Sequence, residues 1–428
     1  MADLWLSLYL KTSLNMTELE TLYQTNKDRL SAMAVECTVL TPLHIGDGNS
    51  YSPLTDFVVK SEDGQDWVQF INKAQSFSQI LGDPEKTAQY LDTVRAYTNK
   101  NKAAFFQSPL FAELKTDIVV YKQRVPYVEA EGQPQPQEFS SCIKSNGNWY
   151  IPGSTIKGAL CNIRLAAILR NRQYGKGVKN MLDDLNSGSE KINWTSLSKL
   201  NKFIEQRCTE YERRFLHAED FISGNQETQI IKCFRYSQKY DDSRVPLCYE
   251  VIPEGQVVHG QLSYNGLEFL MQHAQNEWFL RKNGNQSDFK KHKSRILQHE
   301  TKDTELSNAA YLCRLANQFA KEQLEAEIAE VEKFGTEIWR MYESHLNQLL
   351  QLCNSLSGKE CLIRLGAGKW YFHQTVALWL KKELHSDVWE TYLKWIDKKY
   401  EEGGVFPRSR VFTGRDSKPM GWIKIAFN

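Results

Sequence analysis

The sequence predicts an α+β protein with a ferredoxin-like β-α-β-β-α-β core that large helical insertions interrupt. Three observations lead to this fold class. A strand-like stretch runs into a loop, a basic helix follows a rigid turn, and further strand-like stretches precede a long helical region, a small-residue loop and a closing strand. The length of 428 residues suits two or three domains. We expect two domains, residues 1–265 and 266–428, with a single interrupted core as the alternative.

Composition indicates a folded protein with a sizeable core. Hydrophobic residues make up 41% and aromatic residues 12% of the chain. The net charge of +1 argues against a uniformly basic nucleic-acid coat but permits a basic face. The nine cysteines form no Cys-x-x-Cys pair and are odd in number, which favours reduced thiols in a cytoplasm. Ser7 and Tyr9 interrupt the apolar run near the start, so we expect neither a signal peptide nor a membrane span.

The first core strand and its loop follow an extension at residues 1–30. Residues 34–40 alternate and are β-branched, as in a half-buried strand. Pro42 ends the strand, and Gly46 and Gly48 permit left-handed backbone conformations in which successive amides point at one ligand. The loop therefore either binds phosphate or simply makes a turn.

The segment Tyr150-Ile-Pro-Gly-Ser-Thr-Ile-Lys-Gly-Ala-Leu160 is the strongest functional clue. Pro152 and Gly153 end a short strand, and we expect Ser154 to cap the following helix by accepting a hydrogen bond from a backbone amide. Residues at helical spacing form an apolar face: Ile156, Leu160, Ile163 and Ala167. Another face carries Lys157, Cys161 and Arg164.

The second face of this helix is basic. No acidic residue occurs from Ser154 through Leu182, whereas six cations do: Lys157, Arg164, Arg170, Arg172, Lys176 and Lys179. A helix start with free amides and nearby cations suits a phosphate. Gly158 in the first turn costs roughly 1 kcal/mol relative to Ala. We therefore expect a close approach to the backbone there, either by a ligand or by a second helix.

The remaining predicted elements lie between these stretches. We expect a strand pair at residues 57–60 and 67–71, helices over 72–120, a loop at 131–137, small surface helices over 180–220, and strands at 230–236 and 249–264. Residues 303–356 predict one long helix or a helical pair, whose apolar stripe is core or partner contact. The basic run at residues 281–295 is either a solvated loop or a source of phosphate contacts.

The last quarter of the chain combines small residues, cations and aromatic rings. Arg364-Leu-Gly-Ala-Gly368 is followed by Lys369 and by three aromatic residues at 370–372. Phosphates bind to such loops and bases stack on such rings, and a core aromatic cluster is the alternative for the rings. Residues 421–427 alternate as a closing strand. That strand is expected to bring a basic stretch beside the binding face: Arg408, Arg410, Arg415 and Lys418.

Common catalytic signatures are absent from the sequence. It has no Walker phosphate loop, Gly-x-Gly-x-x-Gly fingerprint, His-Glu-x-x-His helix or Gly-x-Ser-x-Gly elbow. His44 and Asp47 share the first loop and could act on a ribose 2′-hydroxyl, but we favour packing for His44 and turn hydrogen bonds for Asp47. His217, Glu219 and Asp220 specify no metal geometry and are expected to be structural. We therefore expect no catalytic residue, no metal and no cofactor.

Four stretches in order resemble the RAMP superfamily of CRISPR proteins. They are Leu40-Thr-Pro-Leu-His-Ile-Gly-Asp-Gly48, Tyr150-Ile-Pro-Gly-Ser-Thr-Ile-Lys-Gly-Ala159, Arg364-Leu-Gly-Ala-Gly368 and Lys418-Pro-Met-Gly-Trp-Ile-Lys-Ile425. We call the first three the first loop, the helix-start motif and the glycine loop. Together they most resemble the fifth-subunit family of the type III-A (Csm) effector. Cys161 stands where this family often has Arg, so a phosphate contact there is lost or taken over by Arg164.

The resemblance implies RRM-like RAMP domains in a non-catalytic, cytoplasmic subunit that binds crRNA toward its 3′ end and caps the filament of backbone subunits. It implies support for complex assembly and crRNA maturation in antiviral defence, with crRNA and other Csm subunits as partners and target RNA nearby. The family also has a Glu and a Gly flanking a turn, where Glu250 and Gly255 stand. The alternatives are a RAMP-type RNA endonuclease and a protein-binding adaptor without RNA contact. The expected RNA-binding residues are His44, Gly46, Gly48, Gly153, Ser154, Lys157, Gly158, Arg164, Arg364, Gly366, Gly368 and Lys369.

Overall fold

The computed structural model describes residues 32–53, 56–62, 64–71, 78, 80–98, 120–128, 138–171, 176–193, 195–200, 204, 216–225, 227–237, 240–264, 309–356, 358–414 and 416–428. The predicted extension at 1–30, the loop at 131–137, the basic run at 281–295 and Arg415 lie outside these residues. The helices predicted over residues 72–120 are described only in part, as α1 (Pro84–Thr98).

Strands and helices alternate along the described chain. The strands are β1 (Met33–Val39), β2 (Gly46–Tyr51), β3 (Phe57–Glu62), β4 (Gln65–Ile71), β5 (Val120–Val128), β6 (Phe139–Cys142), β7 (Lys144–Ser145), β8 (Asn148–Ile151), β9 (Leu216–Ala218), β10 (Phe221–Ile222), β11 (Gln229–Ser237), β12 (Tyr240–Val251), β13 (Val257–Tyr264), β14 (Glu360–Arg364), β15 (Ser409–Thr413) and β16 (Trp422–Phe427). The helices after α1 are α2 (Gly153–Arg170), α3 (Lys176–Asn186), α4 (Ala309–Val331), α5 (Glu337–Ser355), α6 (Tyr371–Gln374), α7 (Ala377–Glu383) and α8 (Ser386–Ile396). Among the described helices, none combines the length and the apolar character needed to cross a bilayer.

The first sheet forms the ferredoxin-like core. Its strands lie in the order β14-β16-β1-β13-β10-β8-β7, and β9 also pairs with β13. β1 lies between β16 and β13 and runs antiparallel to both. In chain order, β1, α2, β10, β13, α4 and β16 give the predicted β-α-β-β-α-β plan. The α+β fold class, the first core strand and the closing strand are therefore confirmed.

Strand alternation and helical periodicity explain why this core forms. Val35, Cys37 and Val39 share one face of β1 and are at most 1% exposed. The predicted apolar face of α2 and the first part of α4 are buried in the same cluster. Full burial of an aliphatic side chain of this size contributes about 1.5–3 kcal/mol. The two helices therefore cover one face of the first sheet.

The second sheet has the strand order β2-β6-β12-β11-β5-β4-β3, with β15 paired to β11. The predicted strand pair is the antiparallel hairpin β3–β4, and the strands predicted after residue 229 are β11, β12 and β13. Phe57, Phe139 and Ile230 form part of its core. The sequence predicts several of these strands but not the sheet, because β5 pairs with β11 and β6 with β12 in parallel over long sequence separations. Local turn signals do not fix such pairings.

The other helices pack in two groups. α4 and α5 form the predicted helical pair, and most of its apolar stripe is core, although Met341 is 40% exposed. α3 packs with α6, α7 and α8 around Trp370, Phe372 and Trp389. The prediction of small helices over residues 180–220 is wrong at its end, where β9 and β10 join the first sheet. These strands are too short to show a period of two in the sequence.

The predicted domain division near residue 265 cuts across both sheets. β14 and β16 complete the first sheet beside β1, and β15 pairs with β11 in the second. Strands from both sides of the division therefore share hydrogen bonds and buried clusters. We propose that the chain forms the single interrupted core that the sequence left as the alternative.

Candidate nucleic-acid interface

The first loop is hydrogen-bonded to the glycine loop and to the segment that precedes the helix-start motif. The amide of Ala367, in the glycine loop, donates to the carbonyl oxygen of His44 at 2.9 Å. On the other side, the amide of Ile143 donates to the carbonyl oxygen of Ile45 at 2.8 Å. Ile143 lies just before the β7–β8 hairpin that leads into α2. The first loop therefore lies between the glycine loop and the strands that carry the helix-start motif.

His44 is a packed residue in this region. Its side chain is buried, and its Nδ1 lies 2.7 Å from the carbonyl oxygen of Glu250. The ring packs against Tyr249 with 4.7 Å between centroids. Burial lowers the pKa of His44, and the hydrogen bond to Glu250 only partly offsets that effect. This geometry agrees with packing rather than with action on a ribose hydroxyl, and contact of His44 with RNA stays a prediction.

The end of the first loop is an exposed edge strand rather than a free turn. Gly46 begins β2, which pairs with β6 in an irregular register between Gly46 and Ser50. Gly48 has a φ of +87°, a conformation that favours glycine. Both glycines are exposed. The turn prediction is corrected to an irregular edge strand, since local glycines do not show whether a neighbouring strand will pair with them.

Asp47 fixes the shape of this edge. Its Oδ1 accepts hydrogen bonds from the amide of Asn49 at 2.8 Å and from Ser141 Oγ at 2.5 Å. Burial raises the pKa of Asp47, but these hydrogen bonds outweigh burial, and the pKa is lowered overall. The predicted turn hydrogen bonds of Asp47 are therefore confirmed.

The buried residue Glu250 helps to hold the first loop in place. Glu250 is fully buried and accepts hydrogen bonds from Lys144 Nζ at 2.5 Å, Thr228 Oγ1 at 2.8 Å and the amide of Cys142 at 3.0 Å. Its own carbonyl oxygen faces His44. Gly255 has a φ of +86°, as the turn position implied by the resemblance requires. The loop is therefore held by a satisfied polar network.

The helix-start motif is capped by a residue that the sequence did not single out for that role. α2 begins at Gly153, the N-cap is Pro152 without a side-chain cap, and Ser154 is exposed, so the prediction that Ser154 caps the helix is wrong. The amide of Gly153 donates instead to Asp220 Oδ1 at 2.9 Å. A carboxylate at a helix start also complements the helix dipole. A Cβ atom on Gly153 would lie 2.1 Å from the carbonyl oxygen of Ala218, so only glycine permits this docking.

The hydrogen bond from the amide of Gly153 gives a structural role to Asp220, one member of the His217, Glu219 and Asp220 cluster. The amide of Glu219 also donates to the carbonyl oxygen of Gln261, which ties the cluster to β13. Within the described residues, no group of three or more histidine, cysteine or acidic side chains is arranged to hold a metal ion. The structural interpretation of this cluster is the one that the hydrogen bonds support.

The basic face of α2 divides into an outer and an inner half. Lys157 is half-buried, Gly158 is exposed, and a Cβ atom on Gly158 would meet no atom within 4 Å. Packing of a second helix against Gly158 is therefore wrong, and approach of a ligand stays a prediction. Farther along, Arg164 is buried and donates to the hydroxyl of Tyr311 at 3.1 Å. Arg170 forms an ion pair with Glu322 at 2.9 Å, so both arginines face α4.

Arg364 supports the glycine loop from inside the protein. Its side chain is inaccessible and donates to Glu327, to the carbonyl oxygen of Met420 and to that of Gly368, each at 2.9 Å. Burial alone would lower the pKa of Arg364, but Glu327 and Tyr342 outweigh it and raise the pKa. Arg364 therefore acts as an internal support of the loop, and its contact with RNA stays a prediction. The sequence motif could not show this, because Glu327 lies on a distant helix.

The rest of the glycine loop is half-buried. Gly366 and Gly368 have φ values of +66° and +80°, and Cβ atoms on them would lie 2.0 Å from the carbonyl oxygen of His44 and 2.8 Å from the Cβ of Met420. Lys369 is also half-buried, and burial together with the charge of Arg364 lowers its pKa. Two of the three following rings, Trp370 and Phe372, are core residues.

The C-terminal cations form internal ion pairs. Arg408 binds Asp397 through two hydrogen bonds of 2.7 and 3.1 Å. Arg410 is buried 3.4 Å from Glu327, and Lys418 pairs with Glu254 at 2.8 Å. Arg410 is therefore buried, Arg408 and Lys418 are partly exposed in ion pairs, and the position of this stretch beside the binding face stays a prediction. The candidates that are exposed or half-buried are Gly46, Gly48, Ser154, Lys157, Gly158, Gly366, Gly368 and Lys369, which we call the exposed rim.

Fold and motifs together define the class of protein. A model of the RAMP superfamily matches residues 36–370, and the chain belongs to that superfamily. It is similar to the CRISPR system protein Csm5 of Methanocaldococcus jannaschii, with 25% identity over 224 residues, which are 52% of this chain and 50% of the relative. The chain thus aligns with half the length of this curated relative.

A solved structure of a CRISPR effector complex contains a chain of the same fold. A chain in the cryo-EM structure of a Csm–crRNA–target RNA ternary complex of a type III-A CRISPR-Cas system aligns over 93% of this chain and 100% of its own length, with 19% identity and a TM-score of 0.60. The crystal structure of Csm5 from T. onnurineus aligns over 91% of this chain and 99% of its own length, with 17% identity and a TM-score of 0.48.

Proposed function

We propose that this protein is a non-catalytic, crRNA-binding subunit of a type III-A CRISPR interference complex. It caps the end of the complex that holds the 3′ side of the crRNA and supports assembly and crRNA maturation. The observation that carries this proposal is the exposed rim: the second turn of α2 presents Lys157 and Gly158 at the surface, and the first loop and the glycine loop are joined by the hydrogen bond between Ala367 and His44. The RAMP fold and the similarity to Csm5 supply the context.

Recognition is directed at the RNA backbone. The exposed rim consists of glycines, a serine and two lysines, which offer amides and cations rather than groups that read base edges. Guide sequence therefore has little effect on affinity, whereas salt weakens binding steeply. The partners are crRNA and the other Csm backbone subunits, with target RNA nearby.

The capping role rests on how the chain departs from a repeating subunit. A filament subunit presents two complementary surfaces so that the contact repeats, whereas a cap needs only one. α4 belongs to the ferredoxin-like core. The helices that this chain adds to that core are α5 and the group of α3 with α6, α7 and α8. These additions cover the face where another copy would dock, which leaves the exposed rim toward the RNA and the preceding subunit.

Native mass spectrometry of the complex purified through this chain tests the proposal. One copy of this chain together with crRNA is expected in each complex. Two or more adjacent copies would reject the cap, and a complex without RNA would favour the protein-binding adaptor. RNA cleavage by the purified chain, tested with and without divalent metal, would favour the endonuclease, and none is expected.

A further inference from the structure

A cavity of about 930 Å³ lies among α2, α4 and the helices from α6 to α8. Its volume falls in the range of about 300–1,000 Å³ that small-molecule sites occupy. Aromatic side chains form much of its wall: Phe319, Tyr371, Trp379, Tyr392 and Trp395. None of these residues belongs to the exposed rim. The cavity therefore offers flat rings in a region that the proposed function has not used.

A buried amide lines the same cavity. Gln323 is 2% exposed, and its Oε1 has no hydrogen-bond partner among the described residues. An unsatisfied buried acceptor costs about 1–3 kcal/mol, and a ligand that brings a donor would recover that cost. Arg170 and Lys382 also line the cavity, and both lie near Glu322, at 2.9 and 3.9 Å. The site thus combines rings, the unpaired acceptor of Gln323, and two cations that stand beside the carboxylates of Glu322 and Glu383 in the same wall.

One residue of the cavity wall is hydrogen-bonded to the end of the glycine loop. Gln374 lines it and donates to the carbonyl oxygen of Lys369 at 3.2 Å, directly after the loop. Tyr371, on the same short helix, bonds the hydroxyl of Tyr392 at 2.9 Å across the wall. A chain of nucleotides that follows the exposed rim past Lys369 therefore has a short path to the aromatic walls.

We propose that this cavity binds the terminal base at the 3′ end of the guide RNA, by stacking on the aromatic walls and by donating an exocyclic amino group to Gln323. The inference rests on the proposed function and adds a base-specific pocket to its backbone recognition. Stacking on rings serves any base, whereas the acceptor of Gln323 takes the exocyclic amino group of adenine, cytosine or guanine; uracil has no such group and offers only its ring N3–H. A peptide segment would also bring a backbone N–H donor to this acceptor, and the experiment below separates that occupant from RNA.

Equilibrium binding of the full chain to 5′-labelled RNA tests this pocket. Three oligonucleotides that differ only at the 3′ terminus are compared, carrying adenosine, purine riboside or an abasic residue, and an internal abasic substitution is the control. We expect the terminal abasic residue to weaken binding about five-fold or more, and purine riboside, which lacks the amino group, to weaken it to an intermediate extent.

Q323L should abolish the difference between adenosine and purine riboside. W395A at the partly exposed wall tests the stacking without altering a buried group, and I222A, at an exposed residue of β10, is the matched control.

The outcomes separate the two proposals. RNA that binds with no dependence on the terminal base would overturn the pocket and leave the proposed function standing. RNA that fails to bind at all would overturn both. Competition by free AMP as effective as the RNA itself would assign the cavity to a mononucleotide instead of an RNA end. Crosslinking from W395C to another protein subunit, rather than to RNA, would assign it to a peptide.

Discussion

Gly366 lies so close to the first loop that a Cβ atom on it would sit 2.0 Å from the carbonyl oxygen of His44. Real Cβ atoms do not approach backbone oxygens to that distance, and the amide of the next residue, Ala367, already donates to the same oxygen. The absence of a side chain at Gly366 therefore lets the glycine loop and the first loop share one hydrogen bond.

We predict that G366A lowers the free energy of unfolding more than G358A does. Both glycines have a φ of +66°, so both substitutions bear the left-handed strain of about 1–2 kcal/mol. Only Gly366 faces a backbone atom, whereas Gly358 has open space around its Cβ position. The clash should add about 1–3 kcal/mol, measured by urea unfolding. Equal destabilisation of the two variants would show that the loops separate at no cost.

A second prediction concerns the buried ion pair of Arg364 and Glu327, which are 2.9 Å apart with inaccessible side chains. R364M should destabilise the protein by about 3–5 kcal/mol, because it leaves a buried carboxylate with weaker partners and two carbonyl oxygens without donors. The matched control is R408M, since the Arg408–Asp397 pair is partly exposed and should contribute about 0–1 kcal/mol. Similar losses in the two variants, measured by thermal and urea unfolding, would contradict the supporting role of Arg364.

A third prediction concerns pH. His373 is buried between Trp370 and Trp422, and both of its ring nitrogens lack a hydrogen-bond partner among the described residues. Burial, and then the charges of Arg364, Lys369 and Arg410, lower the pKa of His373 well below its usual value. As the pH falls through about 6.5, the His373 imidazole of the unfolded chain therefore takes up a proton, whereas that of the folded chain stays neutral. Stability is complete above that pH and falls as the pH drops toward the folded-state pKa, by up to about 1.4 kcal/mol per pH unit.

H373F should flatten this slope between about pH 6.5 and pH 4.5. Phenylalanine cannot titrate and loses no hydrogen bond to a described residue at this position. A smaller slope of the same sign should remain, because burial also lowers the pKa of His44. H385Q, at an exposed ring, is the matched substitution. An unchanged slope in H373F would mean that His373 does not cause the acid sensitivity.

The sequence predicts local elements and motif positions better than the roles of charged residues. Alternation and helical spacing correctly indicate β1, α2 and β16, because these patterns reflect which side chains face the core. The role of Arg364 is different. Its partner Glu327 is distant in the chain, and a basic residue in a glycine loop has the same local pattern whether it meets RNA or an internal carboxylate.

The helix start illustrates a second limit. Ser154 has the local chemistry of a cap, but Asp220 takes that role from a segment that tertiary folding brings to Gly153. Local capping preference is weak enough for such a partner to override it. Sequence alone therefore locates the candidate interface at the three motifs but does not separate its exposed rim from its buried supports.

The last prediction separates folding from RNA binding at Gly158. A Cβ atom there would meet nothing within 4 Å, so G158A should stabilise the helix by about 0.5–1 kcal/mol. If the RNA backbone approaches α2 at Gly158, in its second turn, the same variant should nevertheless weaken RNA binding, because the added methyl group occupies the approach. K157A should weaken binding alike for all guide sequences and reduce the salt slope by about one. K359A, at the opposite end of β14 from the glycine loop, is the control for removing a lysine. Urea unfolding and RNA titrations across salt concentrations measure both effects, and a G158A variant that is more stable and binds RNA normally would place the RNA elsewhere.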